Sequence, residues 1–336
     1  MATALNQNIC FIGGGNMAQA LIGGLLSRGL PTTRITVSDP VEQIRHILEE
    51  KGIQTTTDNV DAIKNADVVA SVGTLPANLS SSLKSGAVCL SFAQAKRDKE
   101  NIAAIAKAKA TLLSFDFVPR ISRAQSADAL TSQATVSGYH TMVTAASLLP
   151  KMFPLVMTAS GTIRPSKVLV IGAGVAGLQV MATAKKLGAI VSGYDVRTAS
   201  KDEVKSVGAT FIELDLPVVE GSGGYAKEMD QERTKLQQEL LTPYITATDV
   251  LVTTAAVPGR PAPRLVTSAM LKGMKYGSVI ADMAAENGGN VEGSVRFHAI
   301  RLLAERYSRH HRGHGPRPAP RRGQPLVAVC PRGAAL

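Results

Sequence analysis

No tryptophan occurs in this 336-residue chain, cysteine occurs only three times, and no apolar run approaches a bilayer span of roughly 18 to 20 residues. The missing run excludes direct membrane insertion. The opening MATALNQNICFIGGG also lacks the basic n-region of a secretory signal, so a cytoplasmic protein is expected. Cys10, Cys89 and Cys330 are odd in number and form no C-x-x-C pair. That pattern argues against a disulfide framework and a zinc site, and for incidental thiols in a reducing compartment; no metal is expected. Acid is scarce as well, with 26 Asp and Glu against 37 Lys and Arg, a net charge of +11. The excess signals nucleic acid only if it covers the whole chain. Residues 295–336 hold nine Arg and one acid, Glu305, so about +8 of the +11 lies there and the rest of the chain is near +3. No nucleic-acid partner is expected.

That tail, rich in Arg, Pro, Gly and His, has too little apolar surface to order itself and is expected to be disordered. Its composition fits a shifted frame or fusion scar better than an RNA-binding arm or a His-rich metal tract. Before it, strand and helix patterns alternate, the signature of parallel α/β units. Strands are predicted at NICFIG (8–13), RITVSD (34–39), DVVASV (67–72), AVCLSF (87–92) and TLLSFDF (111–117), with helices over Met17–Arg28 and Val41–Lys51. A long helix is predicted from about Ser132 to Phe153. A second series follows: strand KVLVIG (167–172), helix Val175–Leu187, strand AIVSGYD (189–195), helix Ser200–Val207, then strands DVLVTTA (249–255) and SVIADM (278–283). The fold class is therefore α/β, two Rossmann-like lobes with parallel sheets and a disordered C-terminal tail, divided as 1–135, 136–294 and 295–336.

Each series opens on glycines. Gly172-Ala173-Gly174-Val175-Ala176-Gly177 fits G-x-G-x-x-G between a predicted strand and helix, and Asp195 ends the next strand. Gly172 permits the tight turn, Gly174 lets a pyrophosphate approach the backbone, and Gly177 lets helix and strand pack closely. Helix N–H groups would hold the phosphates, while Asp195 would accept from ribose hydroxyls and repel a 2′-phosphate, favouring NAD over NADP. The alternative is a purely structural turn. Gly13-Gly14-Gly15-Asn16-Met17-Ala18 fits the G-x-G-x-x-A variant, with Asp39 closing its second strand. One stretch, FVPRISRAQSADALTSQA (117–134), follows neither a strand nor a helix period.

Residues 7 to 69, with FIGGGNMAQALIGGLLSRG, SDP and NADVV, resemble the beginning of pyrroline-5-carboxylate reductase. Nothing downstream resembles that family's helical substrate domain. From about 72 to 290 the chain resembles domain I of the alpha subunit of proton-translocating NAD(P) transhydrogenase, on VPRISRAQSADALTSQA, GAGVAGLQ, GSGGYAKEM, VTTAAVPGRPAP and AENGGN. This resemblance implies hydride transfer between NADH and NADP+, with NAD as the cofactor held here. The implied partners are the NADP-binding membrane subunit (beta) and a second copy in a homodimer, placing the chain peripheral to the inner membrane. It further implies that Arg120, Gln125 and Asp128 form an arm over the nicotinamide, with Tyr139 nearby. Ala127 stands where that family usually has Met or Leu. Cofactor contacts are implied at Val175, Ala176, Asp195, Val196, Arg197, Gln237 and Ala256, and at Gly224 and Tyr225 of a mobile lid.

The reductase-like half replaces the family's opening third, and the Arg-rich tail replaces its closing segment. Because the family's chain returns from the second lobe to complete the first, a poorly closed first lobe is expected, and NADH binding is expected ahead of turnover. The alternatives are a pyrroline-5-carboxylate reductase-like enzyme and an inactive chimeric nucleotide-binding protein. An alanine dehydrogenase reading lacks the first-lobe His that its chemistry requires.

Overall fold

The computed structural model describes residues 6–93, 98–119, 121–216, 231–256, 261–294 and 326–328. The first unit runs β1 (Ile9–Ile12), α1 (Asn16–Ser27), β2 (Ile35–Ser38), α2 (Glu42–Glu49), β3 (Gln54–Thr56), α3 (Asn59–Ile63), β4 (Val68–Gly73), α4 (Ala77–Ser80), β5 (Val88–Phe92), α5 (Lys99–Lys107) and β6 (Thr111–Ser114). Its six strands are parallel in the order β3-β2-β1-β4-β5-β6. Apolar side chains on both faces of these short strands demand cover on both sides. One face packs Ile9, Phe11, Ile35 and Val37 against Ala18 and Ile22 of α1 and Leu48 of α2; the other packs Cys10, Val69 and Cys89 against Ile63 of α3 and Ile105 of α5.

The expectation of a poorly closed first lobe is overturned. β5 pairs with β4, with one shift of register, and β6 pairs with β5, so a single stretch of chain completes the sheet without a returning segment.

The two units divide between Leu130 and Thr131, inside α6 (Ala129–Leu148) and slightly before residue 135. That helix stops at Leu148 rather than Phe153, because Pro150 and Pro154 cannot continue it. An antiparallel hairpin follows, β7 (Val156–Thr158) and β8 (Gly161–Ile163). Then come β9 (Lys167–Ile171), α7 (Val175–Lys186), β10 (Ile190–Tyr194), α8 (Ser200–Ser206), β11 (Thr210–Phe211), α9 (Gln231–Thr246), β12 (Val250–Thr253), α10 (Ser268–Lys272), β13 (Val279–Asp282) and β14 (Leu326–Ala328).

The second sheet repeats the order, β11-β10-β9-β12-β13-β14, all parallel. Leu326–Ala328, inside the segment expected to be disordered, supplies the sixth strand. Met142 and Ala145 of α6, Val180, Met181 and Ala184 of α7 and Val204 of α8 cover one face; Leu241 and Ile245 of α9 and Met270 of α10 cover the other. In both sheets the order reverses beside the strand that ends in glycines, which is where a parallel sheet opens a crevice for ligands. Among the described residues no helix is long and apolar enough to cross a membrane.

Candidate functional site

The second lobe's turn is built from the backbone outward. Gly172 follows β9 at a φ of 105°, a conformation that strains any residue with a Cβ, and its N–H donates to the Tyr194 carbonyl at 2.8 Å. The Ala173 N–H donates to Asp195 Oδ2 at 2.7 Å. Gly174 caps α7 with no side-chain bond, and a Cβ placed there would meet nothing within 4 Å. Val175 and Ala176 begin the helix, so the first amides of α7 lie beside open space and carry the positive end of its dipole. Gly177 is compulsory on packing grounds, since a Cβ would overlap the Gly172 carbonyl oxygen. That same oxygen accepts from Thr254 Oγ1 at 3.0 Å, tying the turn to the end of β12.

Asp195 follows β10 and binds the turn rather than standing open. Its Oδ2 accepts from Ala173 and from Arg197 Nη2 at 3.2 Å; its Oδ1 accepts from the Arg197 N–H at 2.9 Å and from Arg197 Nε at 3.0 Å. The bidentate contact with Asp195 raises the guanidinium pKa of Arg197 further. Val196 between them is partly buried against the core beneath. Gln237 lies fully buried on α9 and donates from Nε2 to the Tyr194 hydroxyl at 3.0 Å. It thus supports the strand that carries Asp195. Burial pushes the Tyr194 phenol up to about 12. Ala256 is exposed just beyond β12.

No motif or spacing signalled the Arg197 clamp, the Tyr194–Gln237 bond or the Thr254 tie. Each joins an ordinary residue type to a group whose position depends on the fold.

In the polar stretch, Ser122–Ala127 forms a 3-10 helix that carries Gln125 exposed, and Asp128 closes it with its N–H on the Gln125 carbonyl at 3.2 Å. α6 begins at the next residue. Further along α6, Gly138 sits so close to α7 that a Cβ would overlap the Ala176 carbonyl oxygen, and the neighbouring Tyr139 is exposed. Arg120, Gly224 and Tyr225 lie outside the described residues. No group of three or more potential metal ligands occurs among the described residues.

The first lobe repeats the turn. Gly13 donates to the Ser38 carbonyl at 2.8 Å and Gly14 to Asp39 Oδ2 at 2.7 Å, while Asp39 Oδ1 accepts from Val41 at 2.8 Å. Here Arg45 Nη1 donates to the Asp39 backbone carbonyl at 2.8 Å, not to its carboxylate.

The description "Alanine dehydrogenase/PNT, N-terminal domain" matches residues 46–137, and "Alanine dehydrogenase/PNT, C-terminal domain" matches 141–302. The first match starts well before residue 72, inside the reductase-like stretch, and the second runs past residue 290. The first of the alpha-subunit chains of the NAD(P) transhydrogenase of Rickettsia prowazekii is 39% identical over 285 residues, 80% of this chain and 74% of that protein. Its counterpart in Rhodospirillum rubrum is 46% identical over 211 residues, 62% of this chain and 55% of that protein, so the chain spans about half the length of that relative. A solved transhydrogenase from Sinorhizobium meliloti superimposes with a TM-score of 0.68 at 37% identity, covering 85% of this chain and 81% of that one. The N-terminus is also similar to pyrroline-5-carboxylate reductase of Pasteurella multocida, 52% identical over 67 residues but only 24% of that protein. With both domain descriptions matched in order, and most of one alpha subunit aligned at such identity, the chain belongs to the NAD(P) transhydrogenase alpha-subunit family.

Proposed function

We propose that the second lobe binds NAD(H), and that the chain is the NAD(H)-binding component of a proton-translocating NAD(P) transhydrogenase. The observation that carries this is the turn at Gly172–Gly177, with open space over Gly174, uncapped α7 amides and Asp195 fixed beside them. That cradle fits a pyrophosphate on the helix N-terminus and a ribose against the β10 end. Val196 and Arg197 flank the ribose, Gln237 holds the β10 end through Tyr194, and Ala256 lines the crevice beyond β12. Gly224 and Tyr225 are assigned to a lid.

NADH, when bound, would supply a hydride to NADP+ on a partner subunit, giving NAD+ and NADPH. No side chain needs to move a proton, so orientation and water exclusion are what the protein contributes. By the family resemblance, Asp128 would accept from the carboxamide, Gln125 would bridge polar groups between facing cofactors, and Arg120 would hold Asp128 or a ribose oxygen.

The beta subunit holds NADP(H) in the membrane and anchors this chain peripherally on the cytoplasmic side of the inner membrane. A homodimer is favoured by exposed apolar side chains on and beside the β7–β8 hairpin: Leu155 just before it, Met157, 76% exposed, on one face and Ile163 on the other.

NADH titration by fluorescence enhancement tests the binding reading directly, since the chain has no Trp to interfere. Saturable binding is expected, weakened at least about tenfold by Asp195→Ala. No binding at millimolar NADH sinks the reading. Because the chain spans about half the length of the Rhodospirillum rubrum relative, exchange is tested separately, by adding an isolated NADP-binding domain and an oxidised nicotinamide analogue. Affinity without exchange would favour a nucleotide-binding protein that lacks turnover.

A further inference from the structure

Two loops leave the second sheet on the far side of the crevice from Asp195, described over residues 254–256 and 261–266 after β12 and over 283–294 after β13. Asn290 joins them. Its side chain is fully buried, and Nδ2 donates to the Ala255 carbonyl and the Pro263 carbonyl, both at 2.9 Å. Its own carbonyl accepts from the Leu265 and Val266 amides at 2.8 and 3.0 Å. Ala255 is in turn pressed on the glycine turn, because a Cβ on Gly172 would meet the Ala255 nitrogen at 3.1 Å and Thr254 Oγ1 at 2.5 Å.

The donor end of the amide is therefore committed twice, while Oδ1 is buried with no partner among the described residues. An orphaned buried acceptor is costly, so donation to those two carbonyls must offset the penalty. Asp282, also fully buried, fixes the other side of the latch: Oδ1 accepts from Ala284 and Oδ2 from Val291, each at 3.0 Å. From outside, Arg264 donates to the Val291 and Gly288 carbonyls at 3.1 and 3.3 Å.

We propose that Asn290 is a positioning residue that holds the post-β12 loop against the Gly172 turn and so shapes the half of the crevice that receives the nicotinamide nucleoside. The inference rests on the NAD(H) reading above. In a sheet of this order, each set of three strands binds one mononucleotide. Asp195 on β10 marks the adenosine half, which leaves the ends of β12 and β13 to the other. Asn290 touches neither half of the cofactor; it acts through Ala255.

The test uses the full chain and two ligands, NADH by fluorescence and 5′-AMP by calorimetry, with Asn290→Leu and Asn290→Asp. Leu keeps the volume and removes both donors; Asp keeps the shape and offers acceptors to two carbonyls. Both variants are expected to weaken NADH about tenfold or more, while 5′-AMP stays within about twofold of the parent, because the adenosine half is built elsewhere. A purely structural role would lower both affinities together. Equal losses for the two ligands, or unchanged NADH affinity, overturn the proposal.

Amide exchange at Ala262, Leu265 and Val266 gives a readout free of ligand, and faster exchange in both variants is expected. If the parent chain binds neither ligand, the NAD(H) reading has failed on its own account. Unchanged exchange would then overturn the latch independently.

Discussion

Asp67 and Asp249 stand at the same place in the two lobes, immediately before the strand that crosses to the far half of the sheet. Each accepts from the amide that opens the central strand, Asn8 to Asp67 at 2.9 Å and Lys167 to Asp249 at 2.8 Å. Each is paired with lysine: Asp67 with Lys84 at 2.5 Å, Asp249 with Lys151 at 2.8 Å and Lys275 at 3.2 Å. At the opposite end of the sheets, Asp39 and Asp195 hold their glycine turns with equal 2.7 Å bonds. The wiring is duplicated, but the tightness is not.

Asp67 keeps 31% of its side chain exposed and Asp249 only 7%. Ala18 fits at the third fingerprint position in the first lobe, whereas Gly177 excludes any Cβ in the second. The reason lies in the neighbouring strand. β12 runs straight from Thr253, paired with Ile171, into Thr254, which grips the turn. β4 shifts register between Ala70 and Gly73, Ser71 bonds to Gly73 of its own chain, and Val72 is left exposed. Backbone-to-acid bonds set the plan of a lobe, and side-chain packing decides how firmly the plan is held.

The largest expected difference is between Asp249→Asn and Asp67→Asn. Removing the Asp249 charge weakens the bonds that this buried carboxylate accepts from two partly exposed lysines and the Lys167 amide, and is expected to cost about 2 kcal/mol, against less than about 1 kcal/mol at Asp67. Equal shifts in urea midpoint would break the comparison. pH sharpens it. Burial alone would raise the Asp249 carboxyl, but bonds from Lys151, the Lys167 amide and Lys275 together hold it below its ordinary value. A depressed native pKa stabilises fully above the unfolded value of about 3.9 and is lost as pH falls through the native one. The parent should therefore lose stability steeply below about pH 4, and Asp249→Asn should flatten that limb.

Next comes the turn itself. Gly177→Ala should destabilise by about 1–3 kcal/mol through overpacking and weaken NADH binding by about tenfold or more. Ala18→Gly in the first lobe should cost only about 0.5–1 kcal/mol and leave NADH affinity unchanged. A second equivalent of NADH that survives Asp195→Ala but is lost in Asp39→Ala would show that the looser turn also binds. The smallest effect concerns the thiols of the first lobe. Burial pushes Cys10 up to about 12 and Cys89 to about 11. In the folded protein at pH 8 neither should take up iodoacetamide, as read by peptide mass mapping, and both should label fully in denaturant. Rapid labelling of either would reveal an open first lobe.

The strands at 9–12, 35–38, 68–73, 167–171, 190–194 and 250–253 were legible because each is an apolar run closed by glycine, acid or threonine. β3 and β11, edge strands of three and two residues, carry no such run and become strands only by pairing with β2 and β10. TLLSFDF breaks after Ser114, whose hydroxyl accepts the Asp116 amide and starts a 3-10 turn. At the site, the glycines and Asp195 followed from spacing alone. Arg197 on the Asp195 carboxylate did not, although the two are nearly adjacent, because spacing says nothing of rotamer.

By itself the sequence determined where the chain turns, which strands must be buried on both faces, and which glycines and acids meet at the turn after each central strand. Those properties reside in local conformational preference and in the period of the apolar residues. Tertiary structure alone decided which polar side chains hold the crevice open: Thr254 on Gly172, Gln237 on Tyr194, Asn290 on Ala255 and Pro263. Such bonds join residues tens of positions apart. Their worth comes from burial, where an unmet partner is expensive, and only the folded chain brings that burial about.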